Sequence, residues 1–246
     1  MEPIFRQNLT ISDIHLAPSG WMKPSAALFF AQEIAGEHCI QLGADWQAMV
    51  QKGLFWAIIR NRVRFHRLPR GGETIHLETW PMPTTRVAYP RTVVAFDEAG
   101  LPVFEVHSLW VLMDIASRAM VMPGKSGVVV DGILRGNELP SPVSIPQAIL
   151  QPQQRRSVAR EDLDRNGHMN NVRYLDWLAE LLPQDKKMAE LELVYFAESR
   201  ENDFLDLGWT QDADNVLHAE ITRKDPVDGK DHRIFAARIR YENNIM

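Results

Sequence analysis

The sequence predicts an α+β fold made of two similar halves, each with a long helix packed against an antiparallel sheet. In each half one helical segment comes before several strand segments. The strand segments follow one another at hairpin spacing, which disfavours a parallel sheet with crossover helices. A Pro-rich stretch separates the halves, and 246 residues fit one or two domains of ~100–200 residues each.

The first half begins with a helix after Pro24. Apolar residues then recur at steps of three and four until Gly43, which is typical of a helix and its end. Residues 45–50 add a short helical turn. After Gly53 the period changes to two, because apolar side chains alternate with arginines. This predicts a first strand near residues 59–65, followed by strands at Thr74–Trp80, Arg91–Phe96 and Val103–Met113.

Residues 134–154 contain four prolines and little periodicity, so we interpret them as a linker between a domain at 1–133 and a second at 155–246. In the second domain, residues 157–161 are short and extended. A helix is predicted from Asn171, as its N-cap, to Leu182, with Pro183 as the stop. Four strands follow at Leu191–Ala197, Phe204–Thr210, Val216–Arg223 and Arg233–Tyr241.

Composition excludes several classes of protein. The net charge of −5 disfavours nucleic acid as a partner, because phosphate binding needs a basic surface. The single cysteine excludes an intramolecular disulfide and fits a reducing compartment. No run approaches the ~20 apolar residues of a membrane span. The first residues lack the apolar core of a signal peptide, so we expect a cytoplasmic protein that needs no metal and no cofactor.

The densest polar cluster lies at residues 162–171, directly before the second helix. Asp164, Asn166 and His168 alternate, so an extended backbone places them on one side. They offer a proton acceptor, an amide and a titratable imidazole. Backbone N–H groups at the helix start suit a developing oxyanion. This favours an active site here, and the alternative is a loop that only caps the helix.

The run from Asp164 to Trp177 resembles the Asp-x-Asn-x-His-x-Asn-Asn-Val-Lys-Tyr-x-x-Trp signature of acyl-acyl carrier protein thioesterases. Two further blocks, at residues 108–114 and 193–199, resemble other segments of that family. The resemblance runs from about Pro24 to near the end of the chain. It implies a tandem double hot-dog fold, with acyl binding in the first domain and catalysis in the second.

The resemblance also implies Asp164, Asn166, His168 and Glu198 as the catalytic set. Ser199 stands where plant members have cysteine, so a thiol nucleophile is not available there, and Ser199 and Asn170 are accessory candidates. Two mechanisms stay open. Glu198 or Asp164 activates a water that attacks the thioester carbonyl, or Asp164 attacks directly and water resolves the mixed anhydride.

The segment before the first helix, residues 21–25, has no such polar set, and we expect the first half to lack an equivalent loop and to bind the acyl chain. Six bulky side chains are candidates to line that site, with ordinary core packing as the alternative: Trp46, Met49, Phe55, Trp56, Trp80 and Met82. Three arginines are candidates for docking an acidic carrier protein, or form a solvated sheet face: Arg60, Arg62 and Arg64.

The expected substrate and partner is acyl carrier protein with a phosphopantetheine-linked fatty acyl chain, and the expected reaction releases free fatty acid and so ends fatty acid synthesis. The alternatives are an acyl-coenzyme A thioesterase on the same fold, a hydratase or dehydratase, and a non-catalytic acyl-binding hot-dog protein. Acyl chain length and homodimer formation stay open.

Overall fold

A computed structural model describes residues 2–148, 150–181 and 187–242. The chain divides into two compact units, Met1–Pro142 and Val143–Met246. The elements of the first unit are β1 Phe5–Thr10, α1 Pro24–Gln41, α2 Trp46–Gln51, β2 Leu54–Phe65, β3 Thr74–Pro81, β4 Tyr89–Phe96, β5 Pro102–Asp114, β6 Met120–Val121 and α3 Pro123–Ser126. Those of the second are β7 Gln154–Ser157, α4 Asn171–Leu181, β8 Met188–Tyr195, β9 Phe204–Gln211, β10 Val216–Lys224 and β11 Asp231–Tyr241.

The strands of the first unit pair antiparallel in the order β1-β3-β4-β5-β2, and β6 pairs with β5. The helix α1 contacts β1, β3 and β5 and buries Leu28, Ala31 and Ile34. Sequence analysis did not predict β1. This strand pairs with β3 alone, and its side chains alternate between half-buried and exposed, so it lacks the apolar face that identifies a strand.

The strands of the second unit pair antiparallel in the order β8-β11-β10-β9-β7. The helix α4 packs on them through Tyr174, whose ring stacks on Phe235 of β11 with centroids 5.2 Å apart. The predicted strands of this half begin and end within three residues of β8 to β11. Together the two units confirm the predicted α+β class of a helix against an antiparallel sheet.

The N-cap assigned to Asn171 is wrong by one residue. Oδ1 of Asn170 accepts a hydrogen bond of 3.0 Å from the N–H of Val172, so Asn170 is the cap and Asn171 is the first helical residue. Two neighbouring asparagines can each cap a helix, and only the backbone conformation decides between them. Leu182 and Pro183, where the helix was predicted to end, lie outside the described residues.

The division between the units falls inside the Pro-rich segment, and each part of that segment bonds to its own unit. In the first unit, Nδ1 of His107 donates to the carbonyl of Leu139 at 2.8 Å. In the second, the N–H of Ala148 donates to Oε1 of Glu220 at 2.7 Å. Leu139 and Ile145 are both buried. The segment is therefore anchored by hydrogen bonds between its main chain and side chains of each unit, although it forms no regular element.

Within the described ranges, none of the helices has the length and apolar content needed to cross a lipid bilayer.

Candidate active site

The polar loop before α4 is a tight turn closed by its own backbone. A one-turn 3-10 helix, Arg160–Asp162, leads into it. The N–H of Asp164 donates to the carbonyl of His168 at 2.7 Å, and the N–H of Gly167 donates to the carbonyl of Asp164 at 3.1 Å. Gly167 has a φ of 75°, which a residue with a side chain rarely adopts. The turn therefore holds residues 164–168 in one fixed conformation.

The carboxylate of Asp164 faces back into this loop. Its Oδ1 accepts hydrogen bonds from the N–H of Asn166 at 2.8 Å and from that of His168 at 3.2 Å. Nδ2 of Asn166 donates to Oδ2 at 3.4 Å. Asp164 thus fixes Asn166 and His168, two of the other three residues of the predicted set, and its Oδ1 accepts from backbone donors.

The imidazole of His168 reaches Glu198, which follows β8. The distance between Nε2 of His168 and Oε2 of Glu198 is 3.2 Å. The side chain of His168 is 12% exposed and that of Glu198 is 39% exposed, so solvent reaches the carboxylate. The structure therefore brings Asp164, Asn166, His168 and Glu198 into one connected polar network.

Ser199 anchors this network through its backbone. Its carbonyl accepts a hydrogen bond of 2.8 Å from the N–H of Met169, which joins the end of β8 to the loop. Its side chain is fully buried, and Oγ makes no hydrogen bond to a base within the described part of the chain. The neighbouring Tyr174 is itself buried, and this burial raises the pKa of its phenol to about 12. This geometry does not provide the base that a serine nucleophile needs.

The start of α4 offers one backbone donor. The N–H of Val172 is bonded to the side chain of Asn170, and the N–H of Arg173 to its carbonyl, at 3.0 and 2.9 Å. The N–H of Asn171 has no acceptor among the residues that the structure describes. The cap on Asn170 therefore uses two of the first three N–H groups of α4.

We expected the first half to lack an equivalent loop, and this is wrong, because its backbone forms one. A one-turn 3-10 helix, Asp13–His15, leads into a bridge between Leu16 and Met22, as Arg160–Asp162 leads into a bridge between Leu163 and Met169. The N–H of Ala17 donates to the carbonyl of Trp21 at 2.9 Å, as Asp164 donates to His168. Gly20 has a φ of 78°, close to that of Gly167.

The first loop does lack the polar side chains of the second, as expected. The matched hydrogen bonds align the two loops residue by residue, since Met22 donates to the carbonyl of Pro69 as Met169 donates to that of Ser199. In this alignment the polar set is replaced by Ala17, Ser19, Trp21 and Leu68. The sequence did not reveal this second copy of the loop. The shared feature is a pattern of backbone hydrogen bonds, and only Leu, Gly and Met recur at matching positions.

Two of the six candidate acyl-lining residues, Met49 and Trp56, belong to one apolar cluster with Tyr89, whose ring meets that of Trp56 edge-on at 4.9 Å. The contacts of the other four differ, and an acyl-lining role stays a prediction for all six. Trp46 is 44% exposed, Phe55 lies under the guanidinium of Arg118, Trp80 is buried and donates to Glu138, and the sulfur of Met82 accepts from Thr92.

The arginine stripe lies on β2 and is half-buried rather than fully exposed. Arg60, Arg62 and Arg64 face Leu109, His107 and Glu105 of β5 in the strand register. A carboxylate therefore stands opposite one of the three cations, and a role of the stripe in docking stays a prediction.

Within the described residues, one group of side chains has the spacing of a metal site: Asp225, Asp228 and His232, with ligand atoms within 4.8 Å of one another. Asp225 and Asp228 lie in the turn between β10 and β11, and His232 lies on β11. Oδ1 of Asp225 already accepts hydrogen bonds from the N–H groups of Val227 and Asp228, as in many turns without a metal.

Comparison with known proteins places the chain in a family. Residues 4–123 match the model of the acyl-ACP thioesterase N-terminal domain, and residues 150–243 match that of the C-terminal domain. The chain belongs to the acyl-ACP thioesterase family. The two matched regions correspond to the two compact units, and the resemblance predicted from residues 164–177 is confirmed.

Two curated members of this acyl-ACP thioesterase family illustrate the similarity. The chloroplastic palmitoyl-acyl carrier protein thioesterase of Gossypium hirsutum is 24% identical over 211 residues, which cover 78% of this chain and 51% of that protein. The chloroplastic oleoyl-acyl carrier protein thioesterase 2 of Arabidopsis thaliana is 23% identical over 223 residues, which cover 78% of this chain and 58% of that protein. The chain thus spans about half the length of the curated relatives it matches.

Solved acyl-ACP thioesterase structures share the whole fold. That of an acyl-ACP thioesterase from Bacteroides thetaiotaomicron superposes with a TM-score of 0.81 at 21% identity, covering 98% of both chains. That of the 12:0-ACP thioesterase from Umbellularia californica gives 0.80 at 20% identity, again over 98% of both. The predicted tandem double hot-dog fold is therefore confirmed.

Proposed function

We propose that this chain hydrolyses fatty acyl-acyl carrier protein to free fatty acid and carrier protein, and so ends fatty acid synthesis. The observation that supports this best is the 3.2 Å contact between His168 and Glu198, on a loop ordered by Asp164. The first unit has the same backbone loop without these polar side chains. The second unit is therefore the one equipped for chemistry.

In the proposed mechanism, Glu198 acts as general base on a water molecule. The water oxygen bonds to the thioester carbonyl carbon while its proton passes to Glu198. The carbon–sulfur bond then breaks, and the thiolate leaves as the fatty acid forms. His168 holds the carboxylate of Glu198 in place. A positioned base contributes typically ~10²–10⁴ in rate.

Direct attack by Asp164 is the less favoured route. Two backbone N–H groups donate to its Oδ1, and such bonds stabilise the carboxylate charge that a nucleophile has to give up. The same bonds suit an orienting role, since they fix Asn166 and His168. Asp164 is therefore assigned to ordering the loop rather than to forming a mixed anhydride.

The N–H of Asn171 is the proposed donor to the oxyanion that forms on the carbonyl oxygen. It is the first N–H of α4, where the helix dipole adds positive potential. One preorganised donor of this kind is typically worth ~10²–10³ in rate. Asn170 supports it indirectly, because its cap fixes the first turn.

The first unit is proposed to hold the acyl chain near the cluster of Met49 and Trp56, and Arg60, Arg62 and Arg64 remain candidates for docking acyl carrier protein. Acyl carrier protein as the substrate is supported by the family and by the printed names of its plant members. The cytoplasm is proposed as the compartment on the single cysteine. A homodimer is left open.

The test is a panel of acyl thioesters of graded length, on acyl carrier protein and on coenzyme A, with release of free thiol measured. We expect hydrolysis of the carrier-protein thioesters with the higher kcat/KM. A preference for coenzyme A across the panel would replace the carrier-protein assignment by an acyl-coenzyme A thioesterase. Binding of acyl chains without hydrolysis of any thioester would leave a non-catalytic acyl-binding protein.

A further inference from the structure

An ion pair joins the start of the catalytic loop to the first turn of α4. Asp162 is 3% exposed, and its Oδ1 accepts a hydrogen bond of 2.8 Å from Nε of Arg173. Its Oδ2 accepts from the N–H of Ala159 at 3.0 Å. The guanidinium also donates to Asp176 at 2.8 Å. Asp162 opens the polar cluster and Arg173 lies at the Lys position of the family signature, but the sequence assigned a role to neither.

The first unit shows that the loop backbone forms without this pair. The carbonyl of Asp162 accepts from the N–H of Asn170 at 2.8 Å, and the carbonyl of His15 accepts from that of Lys23 at the same distance. This match puts His15 at the position of Asp162 and Ala26 at that of Arg173. Among the described residues of the first unit, the same turn therefore folds with no ion pair between the loop and α1.

One partner of the pair is unusual for its position in the helix. Arg173 is the third residue of α4, and a cation near a helix start is disfavoured by the helix dipole. What the pair does fix is the direction of the first turn of α4 relative to the loop. The loop holds His168, and the first turn presents the N–H of Asn171. The ion pair thus links the two segments that carry the groups of the proposed mechanism.

We infer that Asp162 and Arg173 are positioning residues for thioester hydrolysis, holding the oxyanion donor at the start of α4 against the His168–Glu198 pair. This inference rests on the proposed function. A displacement of about 1 Å at reacting groups can cost on the order of 10²-fold in rate, so the pair affects turnover more than binding.

The test replaces both residues of the ion pair by the residues at the matching positions of the first unit. The double variant Asp162→His with Arg173→Ala introduces the residues that accompany the same turn in the first unit, where the turn forms. Arg173→Lys is the second variant, because it keeps the charge but loses the planar fork. Asp206→Asn is the matched control, since Asp206 is a buried carboxylate held by two guanidinium nitrogens of Arg155, Nε and Nη2, each at 2.7 Å.

We expect kcat to fall about 10²-fold in the double variant with KM changed less than about threefold, and Arg173→Lys to recover part of kcat. The control is expected to keep kcat while losing similar stability. A folded double variant with kcat within about threefold of wild type would overturn the inference. So would an equal loss of kcat in the control.

Hydrogen exchange at the N–H groups of Asn170 and His168 separates this inference from the proposed function. Faster exchange there in both variants, and unchanged exchange in the control, supports positioning even if the wild-type chain hydrolyses no thioester. Unchanged exchange in Arg173→Lys and in a folded double variant would overturn it. If the double variant does not fold, Asp162→Asn decides the inference, because it removes the charge of the pair as Asp206→Asn does in the control, and an unchanged kcat there would overturn it.

Discussion

Nε2 of His168 lies 3.2 Å from Oε2 of Glu198, and this contact links the loop before α4 to the end of β8. The two residues are thirty positions apart in the sequence, yet they form one acid–base pair. The proposed mechanism gives the carboxylate the role of base and the imidazole the role of holding it.

Glu198→Gln is expected to lower kcat by ~10²–10⁴, because the amide cannot accept the proton of the attacking water. Steady-state hydrolysis of an acyl-acyl carrier protein measures this. The control is His218→Ala, which removes another histidine–carboxylate pair of the same unit, 3.0 Å from Asp212, and should leave kcat unchanged. If Glu198→Gln kept wild-type turnover, Glu198 would not be the base.

Asp164→Asn separates the two mechanisms. As an orienting group, Asp164 can be replaced by an amide oxygen that still accepts from the N–H groups of Asn166 and His168, so acyl binding should survive and kcat should fall by roughly 10–10². As a nucleophile it cannot be replaced, and turnover would fall to background. Trapping of an acyl-enzyme in the wild-type protein would also contradict the water route.

Gly167→Ala should destabilise the protein by roughly 1–3 kcal/mol and also lower kcat, since its φ of 75° strains any side chain and the strain falls on the loop of Asp164 and His168. Gly20→Ala is its matched control at the same position of the other loop, with a φ of 78°. Both variants should show similar losses in chemical denaturation. Only Gly167→Ala should lose turnover. An equal loss of turnover in both variants would argue against a catalytic role confined to the second loop.

The buried His38 predicts acid sensitivity. Burial, and the guanidinium of Arg91 that donates to its Nδ1, lower its pKa from the model-compound value of 6.5 to about 4. Between these values the unfolded chain binds a proton at His38 that the folded chain does not. The free energy of unfolding therefore falls as pH falls through this window, by up to about 1.4 kcal/mol per pH unit from this group.

His38→Gln tests this, because its amide oxygen can still accept from Arg91. Denaturant titrations at pH 7 and pH 4.5 should show a smaller loss of stability in the variant than in the wild type. His15 and His107, whose pKa values are also lowered by burial, are present in both proteins and cancel in the comparison. Equal pH dependence of the two proteins would contradict the assignment.

The sequence by itself determined the α+β class, most helix and strand positions and the identity of the polar loop. Periodicity decides the elements when one face is apolar, as it is for α4, and it failed for β1, whose face is only half-buried. The polar loop was recognisable because Asp164, Asn166 and His168 are close in sequence and share a fixed spacing with a known family.

Only the tertiary structure decided which side chains meet and which hydrogen-bonding groups already have a partner. The contact of His168 with Glu198, the cap on Asn170 and the pair of Asp162 with Arg173 depend on how the loop, α4 and β8 pack. The second copy of the loop at residues 16–22 is defined by backbone hydrogen bonds and one positive φ, which many sequences can satisfy. Local pattern fixes what each segment forms, whereas long-range packing fixes what its side chains can do.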